Sequence, residues 1–163
     1  MDTVNVIISG VAVFLIGEII VRFFLGPIHK FKEVKGEIAS TLLFHANNYG
    51  QQYVKLQEVL ESEGGDEKVM EERISSIKQW NNDLSKASDE TRQVASKLIS
   101  VSEGIPFFDQ LAYLKIIPDK SSVIEARRHL IGLSNSFSPA TAAKSAERSE
   151  KICKLLKIEF MDE

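Results

Sequence analysis

The stretch Val4–Leu25, VNVIISGVAVFLIGEIIVRFFL, decides how the rest of this chain is arranged. As an α-helix, its 22 residues extend about 33 Å, close to the roughly 30 Å hydrocarbon core of a bilayer. No charged residue occurs from Val6 to Gly17. The stretch therefore predicts a transmembrane helix, with residues 1–27 as the anchor.

Two other interpretations of this stretch have to be weighed. A buried or interfacial helix has a similar composition. A cleaved signal peptide is disfavoured, because no basic residue precedes the apolar run and no A-x-A-like site follows it.

The charges that flank the stretch predict its orientation. Only Asp2 precedes it, whereas four basic residues lie at or after its end: Arg22, Lys30, Lys32 and Lys35. The positive-inside rule then predicts a single-pass protein of the cell inner membrane, with the N-terminus outside and the C-terminal body in the cytoplasm. Gly26-Pro27 is expected to break or kink the chain as it leaves the bilayer.

Glu18 and Arg22 are the only charged residues in the stretch, and their spacing of four places them on one helix face. One interpretation is a self-neutralised pair near the headgroups, since arginine extends its head group toward water. The other is a polar seam in lipid that favours a second helix. The seam has near-heptad spacing and comprises Val4, Ile8, Val11, Leu15, Glu18 and Arg22. The seam predicts a homo-oligomer or a membrane protein partner, in addition to the lipid bilayer.

The remaining body, residues 28–163, is long enough for one sizeable core. The whole chain has a formal net charge of −3, and acidic and basic residues are mixed along the body. Such a surface disfavours nucleic acid as a partner. Cys153 is the only cysteine, so an intramolecular disulfide is excluded.

Apolar periodicity in the body predicts an all-α fold. We expect an N-terminal transmembrane helix followed by an antiparallel bundle of four main helices and one short helix. The short segment, Pro106–Ile117, is expected to pack across the end of the bundle, with a position on the membrane surface as the alternative. The four main helices are expected at Ile28–Glu61, at Glu67–Glu103 with a break allowed between 82 and 89, from Asp119 or Ser121 to about Ser136, and from Ser138-Pro139 to about Phe160.

No catalytic motif is expected to be functional in this chain. Gly132–Ser136, GLSNS, has part of the G-x-S-x-G pattern, but that nucleophile elbow needs a preceding strand, which the sequence does not predict. Gly132 and Ser134 are expected instead to allow close helix contact. No histidine has a partner at the spacing of a known metal motif, and no cofactor fingerprint occurs. We therefore expect no enzyme, no metal and no cofactor.

A candidate pocket is the alternative source of function. His45, Asn47 and Asn48 on the first body helix would face Arg127 or Arg128 on the helix that starts near 121. Arginine binds anionic groups through a two-pronged hydrogen-bonding fork. These residues predict a sensor for a small anionic ligand, if the fold brings them together.

Three short segments resemble uncharacterised bacterial proteins that have one N-terminal span and a small helical domain. The segments are GEIASTL (36–42) continuing to ANNY (46–49), RQVASKL (92–98) followed by Ile105-Pro106, and LIGLSNS (130–136). The resemblance implies the same architecture and no assigned activity. The sequence thus predicts a membrane-tethered helical interaction module: an adaptor, scaffold or sensor subunit.

Overall fold

A computed structural model describes residues 3–61, 67–136 and 142–158, with side chains described at 7–44, 68–136 and 144–158. Within these ranges the chain is all-α. Its elements are α1 (Thr3–Ile20), a π-helical turn (Val21–Leu25), α2 (Gly26–Glu61), α3 (Glu67–Glu103), the short α4 (Phe108–Tyr113), α5 (Lys120–Ser134) and α6 (Ala142–Leu156).

The first helix runs without interruption from α1 through the π turn into α2. Of the break or kink expected at Gly26-Pro27, the break is therefore not found. The Gly26 backbone N–H donates to the Val21 carbonyl, five residues back, which makes this turn wider than an α-turn. In an ordinary α-helix the ring of Pro27 would clash with the Phe23 carbonyl. The wider turn gives the ring room, so α1 passes directly into α2 as continuous helix.

Helix α3 begins and ends where the periodicity predicts, at Glu67 and Glu103. The break allowed between 82 and 89 does not occur. Buried Thr91 shows why polar residues on the apolar face do not interrupt the helix. Its hydroxyl donates to the Ala87 carbonyl one turn back, at 2.8 Å, so the buried polar atom has a partner within the helix.

The core lies where α2, α3, α5 and α6 meet. Helix α3 packs against α2 and α5, and α5 packs against α6. At the start of α2, apolar residues recur every three or four positions and are all buried: Phe31, Val34, Ile38 and Leu42. The other buried members of the cluster are Val94, Ala95, Leu98, Ile105, Ile117, Val123, Ala126, Leu130, Leu133, Ile152 and Leu156. The core therefore begins within two turns of the end of the apolar span.

The short helix α4 packs against the core on one face, as expected of a helix across the end of the bundle. Phe108, Leu111 and Ala112 pack against the core, as a helix across the bundle would. Tyr113 and Leu114 are exposed on the other side of the segment. One face of this segment therefore packs against the core and the other is exposed.

Asp119 is the N-cap of α5, one of the two caps expected from the sequence. Its carboxylate accepts hydrogen bonds from the Ser121 hydroxyl at 2.6 Å and from the Ser122 backbone N–H at 2.8 Å. The Ser122 hydroxyl also donates to it, at 2.9 Å. These bonds, led by the one from the Ser121 hydroxyl, lower the pKa of Asp119 from 3.8 to about 2.

Replacing this cap is expected to make a measurable difference to stability. Asp119→Ala should lower the free energy of unfolding by about 1–2 kcal/mol at neutral pH, measured by denaturant titration. Because the folded-state pKa is depressed, the carboxylate's contribution is complete above pH 3.8 and is lost as the pH falls toward 2. Asp119→Asn keeps a capping oxygen but cannot titrate, and should remove this pH dependence. The same acid sensitivity in wild type and Asp119→Asn would contradict this assignment.

Candidate functional site

The most apolar exposed surface in the described part of the chain lies on α1 and the π turn that follows it. The continuous helix Ile7–Phe44, which runs from α1 through the π turn into α2, contains an 18-residue window with a mean hydropathy of 2.2, and none of that window is buried. By length and composition this helix is long and apolar enough to cross a membrane. Exposed apolar side chains cover all of its faces through α1 and the π turn: Ile7, Ile8, Val11, Val13, Phe14, Leu15, Ile16, Ile19, Ile20, Val21, Phe23 and Leu25.

The structure brings Glu18 and Arg22 together near the end of α1. The Arg22 Nε lies 2.9 Å from the Glu18 Oε1, and both side chains are substantially exposed. Cβ atoms added at Gly10 and Gly17 would meet no atom within 4 Å, so another helix could approach both positions closely. The polar pair and the small residues therefore lie on a surface that the described parts of the body leave open.

The candidate anionic pocket has only one described side. The side chains of His45, Asn47 and Asn48 lie outside the described residues, although the α2 backbone through them is helical. Arg127 and Arg128 are exposed on α5. The pocket therefore stays a hypothesis from the sequence.

The Gly132–Ser136 segment has a structural role. Ser134 is buried, and its hydroxyl donates to the Ile131 carbonyl at 2.8 Å, so it is not presented to a substrate. The Arg148 guanidinium of α6 donates to the Gly132 carbonyl and to the Ser136 hydroxyl oxygen. A Cβ at Gly132 would lie 3.0 Å from the Arg148 Cζ, which confirms the expected close contact at this glycine. No motif or spacing in the sequence identifies Arg148 as its partner.

A polar groove between α2 and α3 was not expected from the sequence. It has a volume of about 500 Å³ and is crossed by an ion pair in which the Lys97 Nζ lies 2.9 Å from the Glu37 Oε2. Its lining consists of Gly36, Glu37, Ser40, Thr41, Glu90, Gln93, Val94 and Lys97. The charged side chains of this lining are Glu37, Glu90 and Lys97, and it contains no histidine or cysteine.

The titratable groups that often carry chemistry are engaged locally. His29 pairs with Glu33 at 3.1 Å, and His129 lies 3.8 Å from Glu125. Burial raises the pKa of the Cys153 thiol, which keeps it protonated and weakly nucleophilic. In the described part of the chain, no three His, Cys, Asp or Glu residues come close enough to hold a metal ion.

Comparison with known proteins adds no relative. No protein-family model, curated protein sequence or solved structure matches the chain. The main indication of function in the described residues is the exposed apolar helix with its Glu18–Arg22 pair.

Proposed function

We propose that this chain is a membrane-tethered helical interaction module: an adaptor, scaffold or sensor subunit without catalysis of its own. The observation that carries the proposal is α1, which exposes apolar side chains on all faces yet continues as one helix into the core-forming α2. An apolar surface of this size is unfavourable in water. Insertion into a bilayer removes it from water while leaving the rest of the body solvated.

The proposed topology places the N-terminus outside the cell inner membrane and the body in the cytoplasm. Support comes from the basic residues that follow the apolar run. Arg22 is exposed within the π turn, and Lys30 and Lys32 are exposed in the first turns of α2. Basic side chains at this position are typical of the cytoplasmic end of a span.

The body is proposed to be an antiparallel bundle. The Glu37–Lys97 ion pair supports this arrangement, because it joins the beginning of α2 to the end of α3. The Arg92 guanidinium, 11 residues before the end of α3 (103 − 92), donates to the side-chain oxygen of Asn135 just after α5 at 2.9 Å, which fits α5 running back along α3. The similar lengths of α2 and α3 and these contacts agree with a chain that reverses direction between the two helices.

Helix lengths leave part of this bundle projecting. Helices α2 and α3 have 36 and 37 residues, whereas α5 and α6 have 15 each. About 20 residues of α3 therefore extend past the shorter helices, a distance of about 30 Å. On this projecting part Met70, Ile74 and Ile77 are exposed at helical spacing. A solvent-exposed apolar stripe on an extended arm supports binding rather than catalysis as the task of the body.

The anchor is proposed to associate with another helix through the Glu18–Arg22 seam, and the first partner to test is a second copy. Helix association in lipid depends on close packing and on interhelical hydrogen bonds. The ion pair is close to the exposed Val11 and Leu15 on the same seam. A second copy would present the same groups in return, which suits a symmetric contact.

The experiment is to measure the mass of the full-length protein in mild detergent by light scattering. Wild type is expected to be a defined oligomer, and the double variant Glu18→Leu with Arg22→Leu to insert normally but dissociate about tenfold more readily. The matched control is His29→Leu with Glu33→Leu, which removes another exposed pair at the same spacing beyond the apolar run. An unchanged mass in the Glu18 and Arg22 variant would remove the seam proposal.

A further inference from the structure

We propose that the segment around α4, residues 107–116, is a second membrane contact that lies in the interface beside the span. This inference rests on the proposed membrane attachment and adds a second element to it. The segment exposes four large side chains within ten residues of sequence. Phe107 is 60% exposed, Tyr113 87%, Leu114 63% and Ile116 48%.

The depth of the segment follows from its contact with the span. The rings of Phe107 and Phe24 stack with centroids 5.6 Å apart and an interplanar angle of 5°. Counted along the helix from Val4, Phe24 lies about 30 Å away, the thickness of the hydrocarbon core. Phe24 therefore lies at the boundary between acyl chains and headgroups, and Phe107 lies at the same level.

The segment is held on the body by some of its apolar side chains while others stay exposed. Ile105 and Ile117 are buried on either side of it, and Phe108 and Leu111 pack against the core from within it. These four contacts fix the segment on the body. Phe107 joins the exposed side chains of the segment to the apolar helix through its contact with Phe24, so a lipid surface is the occupant that fits both.

The backbone of Phe107 adds an independent observation. Its φ of 54° and ψ of 38° are left-handed, a conformation that is strained for a bulky side chain. Asparagine or glycine would be the less strained residue here. Strain of this kind is kept where the side chain has a task, and here the task is to place an aromatic ring against Phe24 at the interface.

Charge gives no preference for anionic lipid. The exposed acidic residues Asp109 and Asp119 balance the exposed basic residues Lys115 and Lys120 across the segment. The contact is therefore apolar, as for a short helix lying in the interface plane with its apolar face about 5–10 Å deep. It should form equally in a wholly zwitterionic bilayer.

The test is tryptophan quenching by brominated lipids in full-length protein reconstituted into vesicles. Native Trp80 is retained in every variant as the distant reference, since it lies about 35 Å before the end of α3. Tyr113→Trp adds a probe on the segment, Phe14→Trp adds one in the span, and Met70→Trp adds one on the far part of α3. All three replaced side chains are exposed, so the substitutions should leave the fold intact.

The proposal predicts that the added Tyr113→Trp emission is mostly lost with lipids brominated near the headgroup, and less affected by bromines deep in the acyl chains. Emission from Met70→Trp should be unaffected by either. Loss at Phe14→Trp with none at Tyr113→Trp would overturn the interfacial contact while supporting the span. No loss at Phe14→Trp would overturn the span and this inference with it.

A second set of variants removes the contact without threatening the fold. Phe107→Asn relieves the left-handed strain and Leu114→Asn changes an exposed side chain, so both should fold. When both substitutions are combined with Tyr113→Trp, most of the tryptophan emission lost to headgroup-brominated lipids should return. The control Met70→Asn should leave the quenching unchanged. Quenching that persists in the Phe107 and Leu114 variant would contradict the assigned contact residues.

Discussion

Two aspartates in α1, Val11→Asp with Leu15→Asp, are expected to release the protein from membranes. Both side chains are exposed apolar groups in the uncharged part of the helix. A carboxylate near the centre of a span costs roughly 2.5–3.5 kcal/mol on insertion scales, so two of them shift the insertion equilibrium by about four orders of magnitude. The measurement is the fraction that stays with the membrane pellet after alkaline extraction.

The matched control places the same charges at the same spacing on a different helix. Ser75→Asp with Gln79→Asp changes two exposed residues of α3, one turn apart. This control should stay in the membrane fraction like wild type. If the α1 variant also stays there, α1 does not hold the protein in the bilayer.

Leu130→Ala is expected to produce the largest loss of stability from a single substitution in the body. Leu130 is fully buried, at 0% exposure, in the core between α5 and its neighbours. Removing a buried leucine side chain to the β-carbon costs about 2–5 kcal/mol, from lost apolar transfer and the cavity that remains. Denaturant titration of the full-length protein in detergent, followed by helical circular dichroism, measures the change.

Ile124→Ala on the same helix is the control for this prediction, because Ile124 is 40% exposed. It should cost about 1 kcal/mol or less, since neighbouring water already contacts the side chain. Equal effects of the two substitutions would contradict the position of the core.

The helices of the body could largely be predicted from local pattern. The apolar spacing of α2 is enough to identify Phe31, Val34 and Ile38 as buried, and α3 has the predicted bounds. Asp119 was recognisable as one of two candidate caps, because a cap is formed by residues three apart in sequence. Each of these features depends on neighbours within one or two turns.

What the sequence did not reveal depends on backbone shifts or distant contacts. The helix continues through Gly26-Pro27 because one hydrogen bond moves to the fifth residue back, and residue types alone do not predict that shift. The left-handed Phe107 goes against the usual preference for glycine or asparagine. The stacking of Phe24 on Phe107 joins residues 83 positions apart, so no helical periodicity signals it.

In the candidate site too, contacts between sequence neighbours could be predicted and contacts between distant residues could not. Glu18 and Arg22 are four residues apart on one helix, so their pairing followed from the spacing. The α2–α3 groove depends on Glu37 meeting Lys97, 60 residues later, and the Gly132 contact depends on Arg148. Exposed polar residues on amphipathic helices look alike in sequence, so which of them meet is decided by tertiary packing.

The most direct test of a single span with the body in the cytoplasm is labelling of single cysteines in intact bacterial cells. Cys153→Ser removes the only native cysteine, and Thr3→Cys or Ser75→Cys introduces one at either side of the proposed membrane. A membrane-impermeant maleimide should label Thr3→Cys in intact cells and Ser75→Cys only after the membrane is permeabilised. Labelling of Ser75→Cys in intact cells, or protection of Thr3→Cys until permeabilisation, would contradict the proposed topology.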